Sequence, residues 1–353
     1  MTEPRPEGQT PKRYIQIDEE GYFQMESLRV ADADAGKDWL SQVHLDSHGR
    51  AWTTISGESV FVEAFDEPFI ALDVERGPEL WSVTMPYGHR EIFRLESLTL
   101  DEWDRFHGRT ERGIPFVFSR PAQARFFNLV DEFDDDAITV DGKRFETTPW
   151  LKDNPDANQP AWWTNIYRTE TPRWDLGGPS PILSSLVPQL KLQKSRILVL
   201  GAGQGHDAAW FAQQGHLVTA IDFSEEAVSR AKARYSHLTN LNFIQADVFN
   251  LPSQMNGSFD IVFEHTLYCA IVPSRRRDLF KVWRRVLTDD GHLLGIFETR
   301  DKTWGPPYGG SEWEVRSRIQ KGFRPLYWMR FRDSVESRVG REFFVYAQRL
   351  PTF

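Results

Sequence analysis

Three glycines spaced G-x-G-x-G (Gly201, Gly203 and Gly205) close an apolar run in "RILVLGAGQGHD", and a second run, "LVTAID", ends on Asp222. Missing β-carbons let a backbone turn sharply and let a ligand approach it closely. A carboxylate about twenty residues beyond such a turn is placed to accept the hydroxyls of a ribose. The combination reads as a site for a nucleoside-based cofactor. The dinucleotide fingerprint is G-x-G-x-x-G, with a pyrophosphate at the helix N-terminus. Here the third glycine comes one residue early, and Asp207 follows in the first helical turn, where it would repel a pyrophosphate. A cofactor with an amino-acid tail carries an ammonium and tolerates that acid. Asp247, in "QADVF" after the next apolar run, adds an acceptor for an adenine amino group. S-Adenosylmethionine (SAM) fits this set better than NAD. The bland alternative is a glycine turn shaped only for helix–strand packing.

Such residues need a scaffold, and the second half of the chain alternates strand and helix. "RILVLGA", "LVTAID", "LNFIQAD", "FDIVFEH" and "HLLGIFE" read as strands. "GHDAAWFAQQG", "SEEAVSRAKARYSH" and "SRRRDLFKVWRRVLTDDG" read as helices, the second N-capped by Ser224 with Glu225 and Glu226 at its positive end. "PLYWMRF" and "EFFVYAQRL" suit a terminal antiparallel pair. Repeated βα units predict an α/β, doubly wound sheet with ligands at the strand C-termini.

The first half reads as a β-rich α+β domain. "AWTTI", "ESVFVEA", "FIALDV", "LWSVTMP" and "REIFRL" are short strands, separated by turn signals such as Ser56-Gly57 and Gly77-Pro78. "AGKDWLSQVHL" and "TLDEWDRFHGR" read as short helices, and Asp141-Gly142 as the turn of a hairpin. No internal repeat is evident. His44, His48, His89 and His107 are scattered, as surface or packing residues are. A Pro- and Asn-rich loop over residues 147–163 sets a boundary near 150, giving domains 1–150 and 151–353.

Charge divides along the same line. Residues 1–150 carry 16 Lys/Arg against 30 Asp/Glu, and the remaining residues of the 353 carry 26 against 21. The first half would repel nucleic acid. Arg275, Arg276, Arg277, Arg284 and Arg285 spread around a helix without a stacking motif, which predicts a solvated face. No apolar run reaches the ~20 residues of a membrane helix. "MTEPRPEGQTPK" lacks a signal peptide's apolar core and reads as a frayed tail. The lone Cys269 permits no internal disulfide or cysteine cluster, so no metal site and a cytoplasmic location are expected. Cys269 itself reads as a small packing residue. The expected partner is a small molecule, anionic or thiol-bearing, with the protein a monomer or homodimer.

Motifs around the glycine turn resemble one family, the thiopurine S-methyltransferase-like enzymes with the thiol/halide methyltransferases. "WTNIYRTETPRWDLGGPSP" (163–181) matches a family frame of two Trp followed by P-W-D-x-G. "LVLGAGQGHD" resembles L-V-P-G-C-G-x-G-H-D, and "AIDFS" resembles G-L-D-I-S. "FEHTLYCAIVPSRR" (263–276) resembles F-D-x-x-x-F-C-A-I-x-P-x-x-R, and "WGPPY" (304–308) resembles G-G-P-P-Y. The resemblance covers roughly residues 163–310 and leaves out the first 150. It implies a Rossmann-like class I methyltransferase fold and SAM as cofactor. The implied cofactor contacts are Trp163, Tyr167, Trp174, Gly201, Gly203, Gly205, Asp207, Asp222, Phe223, Ser224, Asp247, Val248 and Glu264. The implied substrate side is His265, Tyr268 and Tyr308. Tyr167 stands where a second Trp is usual, Arg173 where Pro is, Val272 where an acid is, and Glu264 where Asp is. These departures bear on the substrate more than on the reaction.

A sulfonium is held by cation–π attraction to Trp and Tyr without being hydrated. A thiolate and a sulfonium neutralise each other as a methyl group moves, so a dry site favours the reaction. A thiol of pKa ~8.5 needs little help to ionise, so a strong base is dispensable. His265 is a candidate acceptor for the thiol proton. The expected function is SAM-dependent methylation of sulfur in a small molecule. The alternatives are an O- or N-methyltransferase of a natural product, a SAM-binding regulatory protein and, more distantly, a dehydrogenase. The first domain would then cap the pocket, select substrate or mediate dimerisation.

Overall fold

The computed structural model describes residues 13–77, 80–134, 137–169 and 172–351. The tail 1–12 and Pro78 of the Gly77-Pro78 turn signal lie outside the described residues. The chain divides into two compact units. One is Met1–Leu151 with Ser311–Trp313; the other is Lys152–Gly310 with Glu314–Phe353.

The second unit is built on seven strands: β1 (Arg196–Leu200), β2 (Leu217–Asp222), β3 (Leu241–Gln245), β4 (Phe259–His265), β5 (Leu287–Glu298), β6 (Phe323–Phe331) and β7 (Glu342–Arg349). Their order is β3-β2-β1-β4-β5-β7-β6. The first five run parallel, and β7 pairs antiparallel with both β5 and β6. β1 lies in the middle of this order, and Ile197 to Leu200 are all buried. An inner parallel strand covered on both faces has to be apolar throughout, which is why "ILVL" does not alternate. Strand order reverses between β1 and β4. The crevice beyond their C-terminal ends is where such a sheet receives a ligand.

Five helices of this unit matter below: α1 (Pro160–Thr169), α2 (Pro181–Leu186), α3 (His206–Gln213), α4 (Glu225–Tyr235) and α5 (Arg276–Val286); α6 (Glu312–Ile319) has its first two residues in the first unit and the rest in this one. α1 replaces part of the expected loop, with Pro160 at its first position, where the missing N–H costs nothing. The Ser224 hydroxyl accepts the Ala227 N–H at 3.3 Å, as expected of a cap. α5 is shorter than predicted, because "LTDDG" opens β5 instead. Nor is its basic run wholly solvated. Arg276 is fully buried and its Nη1 meets Glu314 Oε1 at 3.0 Å.

The first unit is β-rich, with helices Ala33–Ser41 and Arg120–Phe127. Strands Ala51–Ile55 and Glu58–Ala64 pair antiparallel, and Ala137–Val140 and Lys143–Glu146 form the hairpin around Asp141-Gly142. "TLDEWDRFHGR" is not helical. Thr99–Leu100 and Phe106–Arg109 are paired strands. Between them Asp101 Oδ1 accepts the N–H groups of Trp103 (2.8 Å) and Arg105 (2.9 Å), closing a turn. Asp18 and Asp46 do the same to the residues two and four ahead of them. A five-residue turn thus recurs three times although no repeat shows in the sequence. Phe69, Phe93, Phe106, Phe116 and Phe126 fill the core of this unit. Among the described residues, no helix is long and apolar enough to cross a membrane, and no group of three or more His, Cys, Asp or Glu could hold a metal ion.

Candidate active site

β1 delivers the chain into the glycine turn, and all three glycines have positive φ. At Gly203 a β-carbon would lie 2.9 Å from the Tyr167 hydroxyl, and at Gly205 it would lie 2.6 Å from the Phe243 ring. A side chain at either place would collide with these neighbours and push the turn out of its packing. Asp222, at the end of β2, is buried. Its Oδ2 accepts the Gly203 N–H at 2.7 Å and its Oδ1 the Ser224 N–H at 2.8 Å. Burial raises its pKa above the usual carboxylate value, against the pull of those amides. Asp247 lies beyond β3 and accepts the Phe249 N–H at 2.9 Å. Its neighbour Ala246 donates to the Asp222 carbonyl at 3.0 Å, so the two acids stand close together in the chain's path. Phe223 is half-buried and Val248 buried beside them.

Three aromatic side chains gather over the turn. The Trp174 Nε1–H donates to the Tyr167 hydroxyl at 3.1 Å, and Trp163 meets Trp174 edge-on with ring centroids 5.6 Å apart. Burial raises the Tyr167 pKa further above its ordinary value. Trp163 also packs against Ala157, Val272 and Tyr308. The frame read in the sequence as W-x3-Y-x6-W therefore forms one continuous apolar wall, from Gly203 to Tyr308.

Glu264, one residue from the end of β4, is fully buried beside Leu200 of β1. Its Oε1 accepts the Tyr268 N–H at 2.7 Å, whereas its Oε2 has no hydrogen-bond partner. Burial pushes this carboxyl up to about 7. A buried acid oxygen that no hydrogen bond reaches fits a cofactor that brings its own positive charge.

The predicted substrate-side residues are engaged elsewhere. His265 Nδ1 lies 2.7 Å from Asp207 Oδ2, while Nε2 lies 2.9 Å from Arg338 Nη1 and 3.8 Å from Glu342 Oε1. Burial would lower its pKa, but Asp207 and Glu342 outweigh burial and raise it to about 9. In the neutral ring Nε2 accepts from Arg338, and in the charged ring Nε2–H turns toward Glu342. Neither form offers a free lone pair to a thiol. Tyr268 is buried, its hydroxyl donating to Glu314 and accepting from Arg318 Nε at 3.0 Å. The Tyr308 hydroxyl accepts the Asn154 N–H at 2.9 Å. Cys269 is buried, and burial pushes its thiol up to about 12. Asp207 Oδ1 also accepts the Ser180 N–H at 2.8 Å.

Several residues that build the site escaped the sequence reading. Gln204 donates to Asp175 inside the glycine turn, and His206 Nε2 lies 3.3 Å from the same carboxylate. The His206 hydrogen bond lowers the pKa of Asp175; at Asp207, His265 and the Ser180 N–H lower it against the pull of burial. Arg338 and Glu342 come from the far end of the chain. No spacing rule links them to His265, although an Arg four residues before a Glu was visible.

This sheet order, with a glycine turn after its central strand and an acid at the end of the next, defines a class I SAM-dependent methyltransferase. A profile of thiopurine S-methyltransferase matches residues 158–343, and the chain belongs to that family. It is 31% identical over 156 residues to a probable thiol methyltransferase 2 of Arabidopsis thaliana, covering 43% of this chain and 68% of that one. Thiocyanate methyltransferase 1 of the same plant is 32% identical over 151 residues, covering 41% and 65%. A thiopurine S-methyltransferase of Pseudomonas aeruginosa is 27% identical over 164 residues, covering 41% and 74%. The protein is a SAM-dependent S-methyltransferase of small molecules.

Proposed function

We propose that the methyl acceptor is a thiolate or a comparably soft anion on a small molecule, and that the chain works by desolvation and alignment without a dedicated base. The observation that carries this reading is the apolar wall from Tyr167 through Trp174 and Trp163 to Tyr308, next to side chains whose polar atoms are already bonded within the protein. Bound SAM supplies a methyl group on sulfur, activated for in-line displacement. Asp222 and Asp247 hold its nucleoside, the Gly201–Gly205 turn admits its backbone-facing edge, and Phe223, Ser224 and Val248 flank it. Glu264 gives its positive charge a buried counterpart. Trp163, Tyr167 and Trp174 keep water away from the sulfonium while attracting it through their ring faces. Tyr268 and Tyr308 shape the acceptor side by position rather than by proton transfer.

The enzyme acts in the cytoplasm on this reading, in keeping with its single buried cysteine. Residues 1–150 fall outside the family match. The test is a panel of thiols, thiocyanate, halides, phenols and amines with SAM, read by mass spectrometry for methylated product. Turnover of the sulfur and halide acceptors is expected. Turnover of phenols or amines only would replace the proposal with an O- or N-methyltransferase. Binding of SAM without turnover of any acceptor would replace it with a regulatory role.

A further inference from the structure

The segment from Trp174 to Ser180, "WDLGGPS", carries one of the three aromatic side chains over the glycine turn. Both of its ends are fastened by a single buried chain of charged groups. At one end Arg338 Nη2 donates to the Trp174 carbonyl at 2.8 Å. At the other the Ser180 N–H donates to Asp207 Oδ1 at 2.8 Å. Between them, Asp207 Oδ2 lies 2.7 Å from His265 Nδ1, and Arg338 Nη1 lies 2.9 Å from His265 Nε2. Glu342 closes the chain, 3.3 Å from Arg338 Nη1 and 3.8 Å from His265 Nε2. Glu342 in turn accepts from the Ser334 hydroxyl. Arg338 and Glu342 are both nearly inaccessible to solvent. The groups come from four places in the chain: the start of α3 (Asp207), the end of β4 (His265), the turn Glu336–Arg338, and the start of β7 (Glu342).

We propose that Arg338, His265 and Asp207 act as one latch that holds the Trp174–Ser180 segment down against the glycine turn, with Arg338 as a positioning residue for the cofactor. The inference rests on the reading of this crevice as the SAM site. The Trp174 carbonyl and the Ser180 amide stand six residues apart, so fixing both fixes the segment and the indole carried by its first residue. In the charged ring Asp207 and Glu342 carry the chain through His265, and Arg338 joins it through Glu342, by charge-assisted contacts strong enough to matter in a buried setting. Glu342 neutralises Arg338, so the latch does not leave an unpaired cation beside a cationic cofactor. His265 becomes a link in this chain and not a base.

Two variants cut opposite ends. R338Q removes the donor to Trp174. S180P removes the amide donor, and Ser180 already has a φ of -55, which proline adopts. The Ser180 hydroxyl has no hydrogen-bond partner, so its loss adds nothing polar to the effect. Hydrogen exchange of cofactor-free protein should show residues 172–181 exchanging about tenfold faster in either variant, with β1 and β4 unchanged. Affinity for S-adenosylhomocysteine, by calorimetry, should fall about tenfold or more, the KM for SAM should rise in step, and kcat should fall by less. R338K should recover part of the loss. The double variant should be no worse than the worse single one, because a latch cut once is already open. Additive losses in the double variant, or unchanged exchange over 172–181 in both single variants, would overturn the latch. If R338Q does not fold, S180P alone decides through the same exchange measurement. Failure of the unaltered protein to bind S-adenosylhomocysteine would instead strike the cofactor reading, which the cofactor-free exchange experiment does not depend on.

Discussion

Two buried imidazoles, one in each unit, lie in closely similar surroundings. His107 has Glu67 at 3.2 Å on Nδ1 and Asp101 at 3.1 Å on Nε2, and Arg105 pairs with the same Asp101. His265 has Asp207 and Glu342, and Arg338 pairs with that Glu342. In both, burial lowers the pKa and two carboxylates more than restore it, to about 9. The difference lies in what each cluster fastens. Asp101 holds the amides of its own turn, and the His107 ring stacks on Trp150 with centroids 4.5 Å apart. That cluster, with Asp66 as a further partner of Arg105, lies within the first unit. The His265 cluster holds the two ends of a distant segment that carries a ring of the candidate cofactor site. The same charge chemistry secures a fold in one unit and a binding surface in the other, so a buried pair of acids around a histidine does not by itself mark an active site.

The largest expected effect breaks the first cluster. H107A leaves Glu67 and Asp101 buried without their shared partner, and removing one member of such a set costs about 3–5 kcal/mol. Urea unfolding should show that loss, with H107Q intermediate. The folded fraction should bind S-adenosylhomocysteine as the unaltered protein does. H265A should lose stability and affinity together. Equal losses of affinity in H107A and H265A would erase the distinction.

A pH series sharpens the same comparison. Each folded-state histidine pKa, at about 9, lies above the unfolded value of ~6.5, so the folded protein binds protons that the unfolded chain has released. Their contribution is complete below pH ~6.5 and is lost as pH rises through 9, by roughly 3 kcal/mol for each group. The unfolding midpoint should therefore fall across that window. In H107Q about half of this fall should disappear. A midpoint that stays level from pH 6.5 to 9 would contradict both clusters.

What the sequence disclosed, and what it concealed, follows the reach of each interaction. β1 to β4 were legible because short apolar runs end on glycine or an acid, and the glycine turn and Asp222 sit at those ends. The aromatic frame was legible because Trp163, Tyr167 and Trp174 are close in the chain and match a family pattern. α1 was hidden, since Pro160 and its polar neighbours signal a loop as readily as a helix start. The turn at Asp101 read as a helix because the periodicity of its apolar residues outweighed the capture of two amides by one carboxylate. Arg276 read as solvated because its partner Glu314 lies 38 residues away. The latch was invisible for the same reason. Arg338 is 73 residues from His265 and 164 from Trp174. Charged residues give no periodic signal of burial, so only the folded chain reveals such pairs.

D222N tests whether the crevice differs from the first unit in kind. It keeps the shape of the side chain but puts an amide where two backbone N–H groups and a ribose need an acceptor. Affinity for S-adenosylhomocysteine should drop about a hundredfold, roughly 2.7 kcal/mol. A loss below threefold would mean that Asp222 serves the turn and not the ligand.

The smallest effect separates Tyr167, edge-on to Trp174, from Trp150, stacked on His107. Y167F removes the hydroxyl that accepts the Trp174 Nε1–H, while keeping the ring that faces the turn. One such hydrogen bond contributes about 1 kcal/mol, so affinity for S-adenosylhomocysteine should weaken about fivefold. The indole, released from its partner, should also shift its fluorescence emission in the cofactor-free protein. W150F, beside His107, removes a stacked indole of similar burial and should leave that affinity alone while lowering stability by about 1 kcal/mol. If W150F weakens binding as much as Y167F does, the cluster around His107 reaches the cofactor after all, and the contrast between the two histidines fails.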